Sequence, residues 1–277
     1  MTNDLHRPGG SRSTIRLAAS KVPEVTIAFW VIKAMTTGLG ESTSDYLVHV
    51  LPPVLAVAIG GIALVLALAL QFATRRYVPW VYWLAVAMVG VFGTMAADVL
   101  HVGSGIPYAA STIFFAVVLA AVFLLWHRSE RTLSIHSIRT RRREAFYWAA
   151  VMATFALGTA AGDLVAVTFN LGYLAAGLLF GVIILIPAVG YRFFGLNAIL
   201  AFWFAYIVTR PLGASFADWV GVSADRGGLG VGPGVVSLVL AVLIALGVGY
   251  VTITGRRESA ASQAVSADSV PAPQVRP

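Results

Sequence analysis

Residues 147–163 read YWAAVMATFALGTAAGD, an apolar run in which Trp148 is followed by Gly158 ten positions on and by Asp163 fifteen positions on. The same spacing recurs three times without a gap. Phe29-Trp30 leads to Gly40-Glu41-Ser42-Thr43-Ser44-Asp45, Tyr82-Trp83 to Gly93-Thr94-Met95-Ala96-Ala97-Asp98, and Phe202-Trp203 to Gly213-Ala214-Ser215-Phe216-Ala217-Asp218. Four coincidences at two columns, in a chain with only 12 acidic residues among 277, mark an internal repeat. Each copy is followed by a second apolar stretch, so the repeating unit is a pair of helices. Because two is even, all four units enter with the same polarity: they are parallel repeats, unlike the inverted repeats of many secondary transporters.

Outward from the repeats, apolar stretches near 25–49, 51–72, 78–102, 106–126, 145–169, 171–190, 197–221 and 233–254 are each about 20 residues long, the length that crosses a hydrocarbon core. The expected fold is an all-α, polytopic membrane protein: eight transmembrane helices in four tandem two-helix repeats. The units are 23–74, 75–138, 139–193 and 194–256, between a polar cytosolic tail (1–22) and a Ser/Ala/Pro-rich tail (257–277) expected to be disordered. Composition agrees, with 58% of residues hydrophobic and 11% charged, against about 45–50% and about 25% in soluble domains. The chain has no cysteine, hence neither disulfides nor thiolate chemistry.

The net charge of +7 is segregated rather than spread over one face, which argues against nucleic-acid binding. Sixteen of the 19 Lys and Arg residues fall in the two tails and in the connections after spans two, four and six; only Arg226 lies in the opposite set of connections. Retained basic residues mark the cytoplasmic side, so the expectation is a multi-pass protein of the cell (inner or plasma) membrane with both termini cytoplasmic. The cluster Arg139, Arg141, Arg142 and Arg143 reads first as a topology determinant, and anionic lipid heads are additional candidate partners for it.

The segment Lys21-Val22-Pro23-Glu24-Val25 with Phe29-Trp30, then Lys33, Thr36-Thr37 and Gly40-Glu41 through Asp45-Tyr46, the later Gly-Thr…Asp copies, and Arg210-Pro211-Leu212-Gly213-Ala214 with Asp218 carry a resemblance. Over about 21–254 the chain resembles the bacterial and archaeal membrane-anchored proteins built from tandem copies of domain of unknown function 347. The resemblance names the repeat and implies no activity, so function has to be read from the residues.

Five acids, Glu41, Asp45, Asp98, Asp163 and Asp218, lie inside apolar stretches, as do the bases Lys33 and Arg210. At about 2.5–3.5 kcal/mol each, five lipid-facing acids would cost on the order of 12–17 kcal/mol, so they must face protein, water or one another. A Trp near the cytoplasmic interface puts the Gly column (Gly40, Gly93, Gly158, Gly213) near mid-membrane and the Asp column in the outer third. The small residues there allow close backbone approach, and the acids are expected to gather about a pseudo-symmetric axis. With two bases against five acids, the site favours a cation or proton.

His49 stands four after Asp45, and His101 three after Asp98, so each pair shares a helix face and offers O,N ligands to a divalent transition metal. The metal would be cargo; no cofactor is evident, and protein partners are undefined. The plainer readings stand beside these: the Asp residues as helix caps or partners of Lys33 and Arg210, the histidines as interfacial residues, and Trp30, Trp83, Trp148 and Trp203 as interfacial anchors as well as repeat-packing residues. Arg210-Pro211 interrupts the helical ladder near mid-span and is a candidate gate. No HExxH, GxSxG or Walker A motif is present. The expectation is therefore a secondary carrier of a small cation rather than an enzyme, with a non-transporting, partner-stabilising or lipid-sensing module as the alternative; an intramembrane enzyme using an Asp pair is the third and least favoured class.

Overall fold

The computed structural model describes residues 20–268, the side chains of 101, 102 and 258–268 excepted, and every regular element among them is helical. In chain order the α-helices are α1 (Ile27–Val50), α2 (Pro53–Ala73), α3 (Pro79–Asp98), α4 (Tyr108–Glu130), α5 (Arg141–Asp163), α6 (Tyr173–Ile183), α7 (Leu185–Phe193), α8 (Ala198–Gly221) and α9 (Pro233–Asp268). Their starts are written locally. Thr26 and Thr140 accept the backbone N–H of Phe29 and Arg143, Asn197 accepts those of Ile199 and Leu200, and α2 and α3 open on proline, whose missing N–H costs nothing at a first turn. α6 and α7 are one apolar stretch broken at Ile184.

The first helices of the four repeats, α1, α3, α5 and α8, form a closed ring, each touching the next and α8 returning to α1. The second helix of each repeat packs on the first helix of the following one: α2 on α3, α4 on α5, α6 and α7 on α8, and α9 back on α1. Burial follows this division. In the most apolar stretches of α3, α5 and α8, 72%, 61% and 56% of residues are buried, against 22% for α2 and α4 and 17% for α9. The outer helices present Val54, Ile62, Ile113, Val117, Leu238 and Leu246 outward, an apolar surface of the kind that suits a hydrocarbon environment.

Among the described residues, seven helical stretches are long and apolar enough to cross a membrane. The remaining stretch expected as a span, 25–49, forms α1, which has the length but carries Lys33, Glu41 and Asp45, all turned into the ring rather than toward lipid. Both tails also depart from expectation. Ser20, Lys21 and Val22 are buried rather than part of a free tail: Lys21 N–H donates to Ile138 O (3.1 Å), and Tyr77 N–H donates to Ser20 O (3.0 Å). At the other end α9 continues to Asp268, through residues read as disordered. The Ala-rich run after Glu258 extends a helix already nucleated, so it avoids the nucleation cost that an isolated segment meets. The rest of both tails, 1–19 and 269–277, lies outside the described residues.

Candidate cation site

Counting from each Trp, positions −1, +3, +7, +11 and +15 fall on one helix face, since four residues advance slightly more than one turn and about 6 Å along the axis. In all four inner helices this face looks into the ring, so the interior is a stack of five layers. The first holds Phe29, Tyr82, Tyr147 and Phe202, with the Tyr82 and Tyr147 hydroxyls 2.5 Å apart. The second holds Lys33, Val86, Val151 and Tyr206, all fully buried. Lys33 Nζ has no hydrogen-bond partner among the described residues and lies 4.1 Å from the Phe155 ring centroid and 4.3 Å from that of Tyr206, an amino group held between aromatic faces.

The third layer, Thr37, Gly90, Phe155 and Arg210, meets the fourth, Glu41, Thr94, Thr159 and Ala214, through one guanidinium. Arg210 Nη2 donates to Glu41 Oε2 (2.5 Å), to Thr159 Oγ1 (2.7 Å) and to Thr94 Oγ1. One side chain of the fourth repeat thereby ties together the other three. The threonine hydroxyls keep their own acceptors one turn back, Gly90 O for Thr94 (3.0 Å) and Phe155 O for Thr159 (3.1 Å). Pro211 stands inside α8 immediately after Arg210, so the backbone carbonyl of Ile207 lacks its helical donor.

The Gly column sets how closely the ring closes. A Cβ on Gly40 would stand 2.7 Å from the Gly90 carbonyl carbon, and one on Gly93 2.8 Å from Phe155 Cβ. One on Gly158 would overlap the Arg210 stem, and one on Gly213 would overlap Thr37 Oγ1. Each glycine therefore seats the third-layer residue of the next repeat, around the full circle.

The fifth layer holds Asp45, Asp98, Asp163 and Asp218, all half-buried at the end of the ring opposite the Trp column. Glu41, Asp45 and Asp218 bring one carboxylate oxygen each to within 4.8 Å of one another. Above them opens a cavity of about 270 Å³ lined by Ser42, Asp45, His49, Asp218, Ser223 and Arg226, among others. Asp98 and Asp163 lie within electrostatic range of Glu41 and Asp45. Each stands where its α-helix passes into a π-helical turn, Val99–Gly103 or Leu164–Thr168, and neither caps that turn with its side chain. At the mouth, the Tyr173 hydroxyl, and after it the nearby Asp45 and Asp218 carboxylates, push the Arg226 guanidinium further above its usual value.

The expected histidine ligands are not what the structure assembles. The three clustered ligand groups are carboxylates. His49 is exposed at the cavity, its Nδ1–H donating to Asp45 O (2.6 Å), which leaves Nε2 facing outward. The side chain of His101 lies outside the described residues. Nor do the tryptophans serve as interfacial anchors: Trp83, Trp148 and Trp203 are buried between helices, and Trp203 Nε1–H donates to Leu133 O (2.9 Å), while Trp30 is half-buried. Bundle packing takes up ring surface that lipid headgroups would otherwise contact.

Sequence reasoning passed over a second polar cluster at the Trp end. Lys21 Nζ lies 2.5 Å from Glu144 Oε2, both buried, and Gln71 Nε2 donates to Glu144 Oε1 (2.9 Å). Its signal was available: Glu144 is the acid that follows Arg141-Arg142-Arg143, and Gln71 is a lone amide in an apolar helix.

The comparison with family profiles matches this arrangement copy by copy, at residues 28–77, 81–132, 146–195 and 201–257. The chain belongs to the Repeat of Unknown Function (DUF347) family. Each matched copy holds one inner and one outer helix, so the DUF347 repeat is the unit from which the ring is closed. No curated protein and no solved structure matches the chain.

Proposed function

We propose that this integral membrane protein is a secondary carrier of a small cation, with the acidic end of the ring as its binding site and a divalent metal ion as the leading substrate class. In this reading the four repeats cross the membrane eight times with equal polarity, the arginine-rich connections and both termini are cytoplasmic, and the acidic cavity faces the opposite side. The observation that carries it is the meeting of Glu41, Asp45 and Asp218, with ligand oxygens within 4.8 Å, where Asp45 and Asp218 line an open cavity. Hard oxygen donors at such separations suit a cation that takes several carboxylate and water ligands. Three carboxylates converging in an apolar bundle repel one another unless a cation or protons arrive.

The test uses the full chain in proteoliposomes, with Mn²⁺ entry read by quenching of an entrapped fluorophore. Asp45→Asn and Asp218→Asn each reduce flux at least tenfold while melting stays near that of the parent. Undiminished flux in both variants removes the reading. The second reading, a non-transporting module, draws on a different observation: the Arg210 clamp joins all four repeats and would hold the ring together with no solute present. Under it, the same two substitutions change stability and no ion-dependent signal.

A further inference from the structure

At the seam where the fourth repeat closes on the first, a groove of about 820 Å³ runs between α1, α7 and α8, walled at the Trp end by the connection from Leu133 to His136. Its depth comes from small residues on facing helices, Ala34 on α1, Ala188 on α7 and Ala205 on α8, and from the break at Ile184 that separates α7 from α6. The walls are aliphatic and aromatic, including Val31, Trp30 and Phe202, and the polar groups Ser134, His136 and Tyr191 lie toward the Trp end. The connection that supplies this polar rim, residues 131–143, carries five arginines, Arg131 and Arg141 among them, and no acid; Arg142 and Arg143 pair with Glu130. Arg192 follows Tyr191 on the other wall.

An apolar slot of this size with polar groups at one end is the shape of a ligand site. The charge of its rim selects among the amphipathic molecules a bilayer holds, because basic residues beside a hydrocarbon slot attract anionic headgroups. We infer that this groove binds one anionic phospholipid, acyl chains between α1, α7 and α8 and headgroup against the arginine-bearing connection, as the wedge that completes the ring at its closing seam. This site is separate from the acidic cavity, which lies at the other end of the ring, and does not depend on the transport reading.

The experiment takes the full chain purified in detergent, with native mass spectrometry counting retained lipid after addition of phosphatidylglycerol or phosphatidylcholine. The parent retains phosphatidylglycerol at least tenfold over phosphatidylcholine. Ala188→Trp, which fills the slot from α7, loses retained phosphatidylglycerol, and Arg131→Gln with Arg141→Gln keeps lipid but loses the preference. A phosphatidylglycerol carrying a photoreactive acyl chain, used with the unmodified protein, labels α1, α7 and α8 around Val31, Ala188 and Ala205, a readout independent of whether Ala188→Trp folds. Equal retention of the two lipids by the parent, or labelling spread evenly over the lipid-facing sides of α2 and α4, overturns the inference.

Discussion

Replacing Arg210 by methionine isolates the contribution of the central clamp. The methionine stem keeps the contact that Gly158 makes with the Arg210 Cβ and Cγ, so packing in the third layer is largely retained. The threonines are not orphaned, because both hydroxyls still donate to carbonyls one turn back. What remains is Glu41, 5% exposed and without its cation. Removing one partner of a buried ion pair costs about 3–5 kcal/mol, and at roughly 2–4 °C per kcal/mol for a chain of this size the melting temperature falls by about 6–20 °C. Glu41→Gln in the same chain removes the uncompensated charge, so the double variant recovers at least half of the loss. Arg210→Lys keeps the charge but loses the planar fork that reaches Glu41, Thr94 and Thr159 together, and falls between parent and Arg210→Met. Melting is followed by loss of the monodisperse peak on size-exclusion chromatography after heating in detergent. An Arg210→Met chain melting within about 2 °C of the parent, or a double variant no more stable than the single, contradicts this account of the clamp.

Gly213→Ala forces a methyl onto Thr37 Oγ1, the hydroxyl that bonds Ala34 O (2.6 Å) and Thr209 O (3.1 Å), and lowers stability by about 1–3 kcal/mol; Thr37→Ala in the same chain restores part of it on the same heating assay. Lys21→Met leaves Glu144 buried with Gln71 alone and costs about 3–5 kcal/mol, whereas Lys21→Met with Glu144→Gln costs less than Lys21→Met by itself; equal losses in single and double variants contradict the pairing. Tyr77, in the connection between α2 and α3, has its phenol pushed up to about 12 by burial, partly offset by the neighbouring Trp83 indole. Its share of stability is present below pH about 10 and is lost as pH rises toward about 12, because only the unfolded chain releases the proton in that window. Tyr77→Phe therefore flattens the alkaline limb of the stability profile, and an unchanged limb counts against it.

The repeat and its two-helix unit were legible because Trp and Asp are rare enough here for a fixed spacing to stand out, and because the cost of a carboxylate in lipid forces the Asp column inward. The ring order was not: helix length and apolarity do not say that α2 prefers α3 to α1. Nor was the layered face read, although positions −1, +3, +7, +11 and +15 from each Trp are open to inspection. Apart from the Asp column at +15 its members are chemically unlike, Lys33 beside Val86, Val151 and Tyr206, so no further column of identical residues extends the face inward. The Trp column misled for a related reason. Aromatic residues at one depth mark either an interface or a packed layer, and only the burial of Trp83, Trp148 and Trp203 separates the two.

The same layers explain why four equivalent acids should act unequally. Perfect fourfold repetition would put four carboxylates around the axis with nothing to choose among them. The fourth layer breaks that symmetry, because Glu41 occurs only in the first repeat, where Thr94, Thr159 and Ala214 hold the matching positions. Glu41 draws the cluster toward the seam between α1 and α8, where Asp45 and Asp218 join it and the cavity opens. Beneath that cluster lies the buried Arg210 guanidinium, with the buried Lys33 one layer further in, so a cation at the acidic end faces a like charge and a closed core rather than a continuous pore. On the proposed carrier reading, passage requires the ring itself to rearrange, with Glu41 exchanging Arg210 for the arriving ion. Cation affinity should accordingly fall in the order of contact: Mn²⁺ binding, measured by electron paramagnetic resonance on the purified chain, weakens at least tenfold in Asp45→Asn and Asp218→Asn and less than threefold in Asp98→Asn and Asp163→Asn. Equal weakening in all four would place the ion on the symmetric axis and leave Glu41 without the part assigned to it.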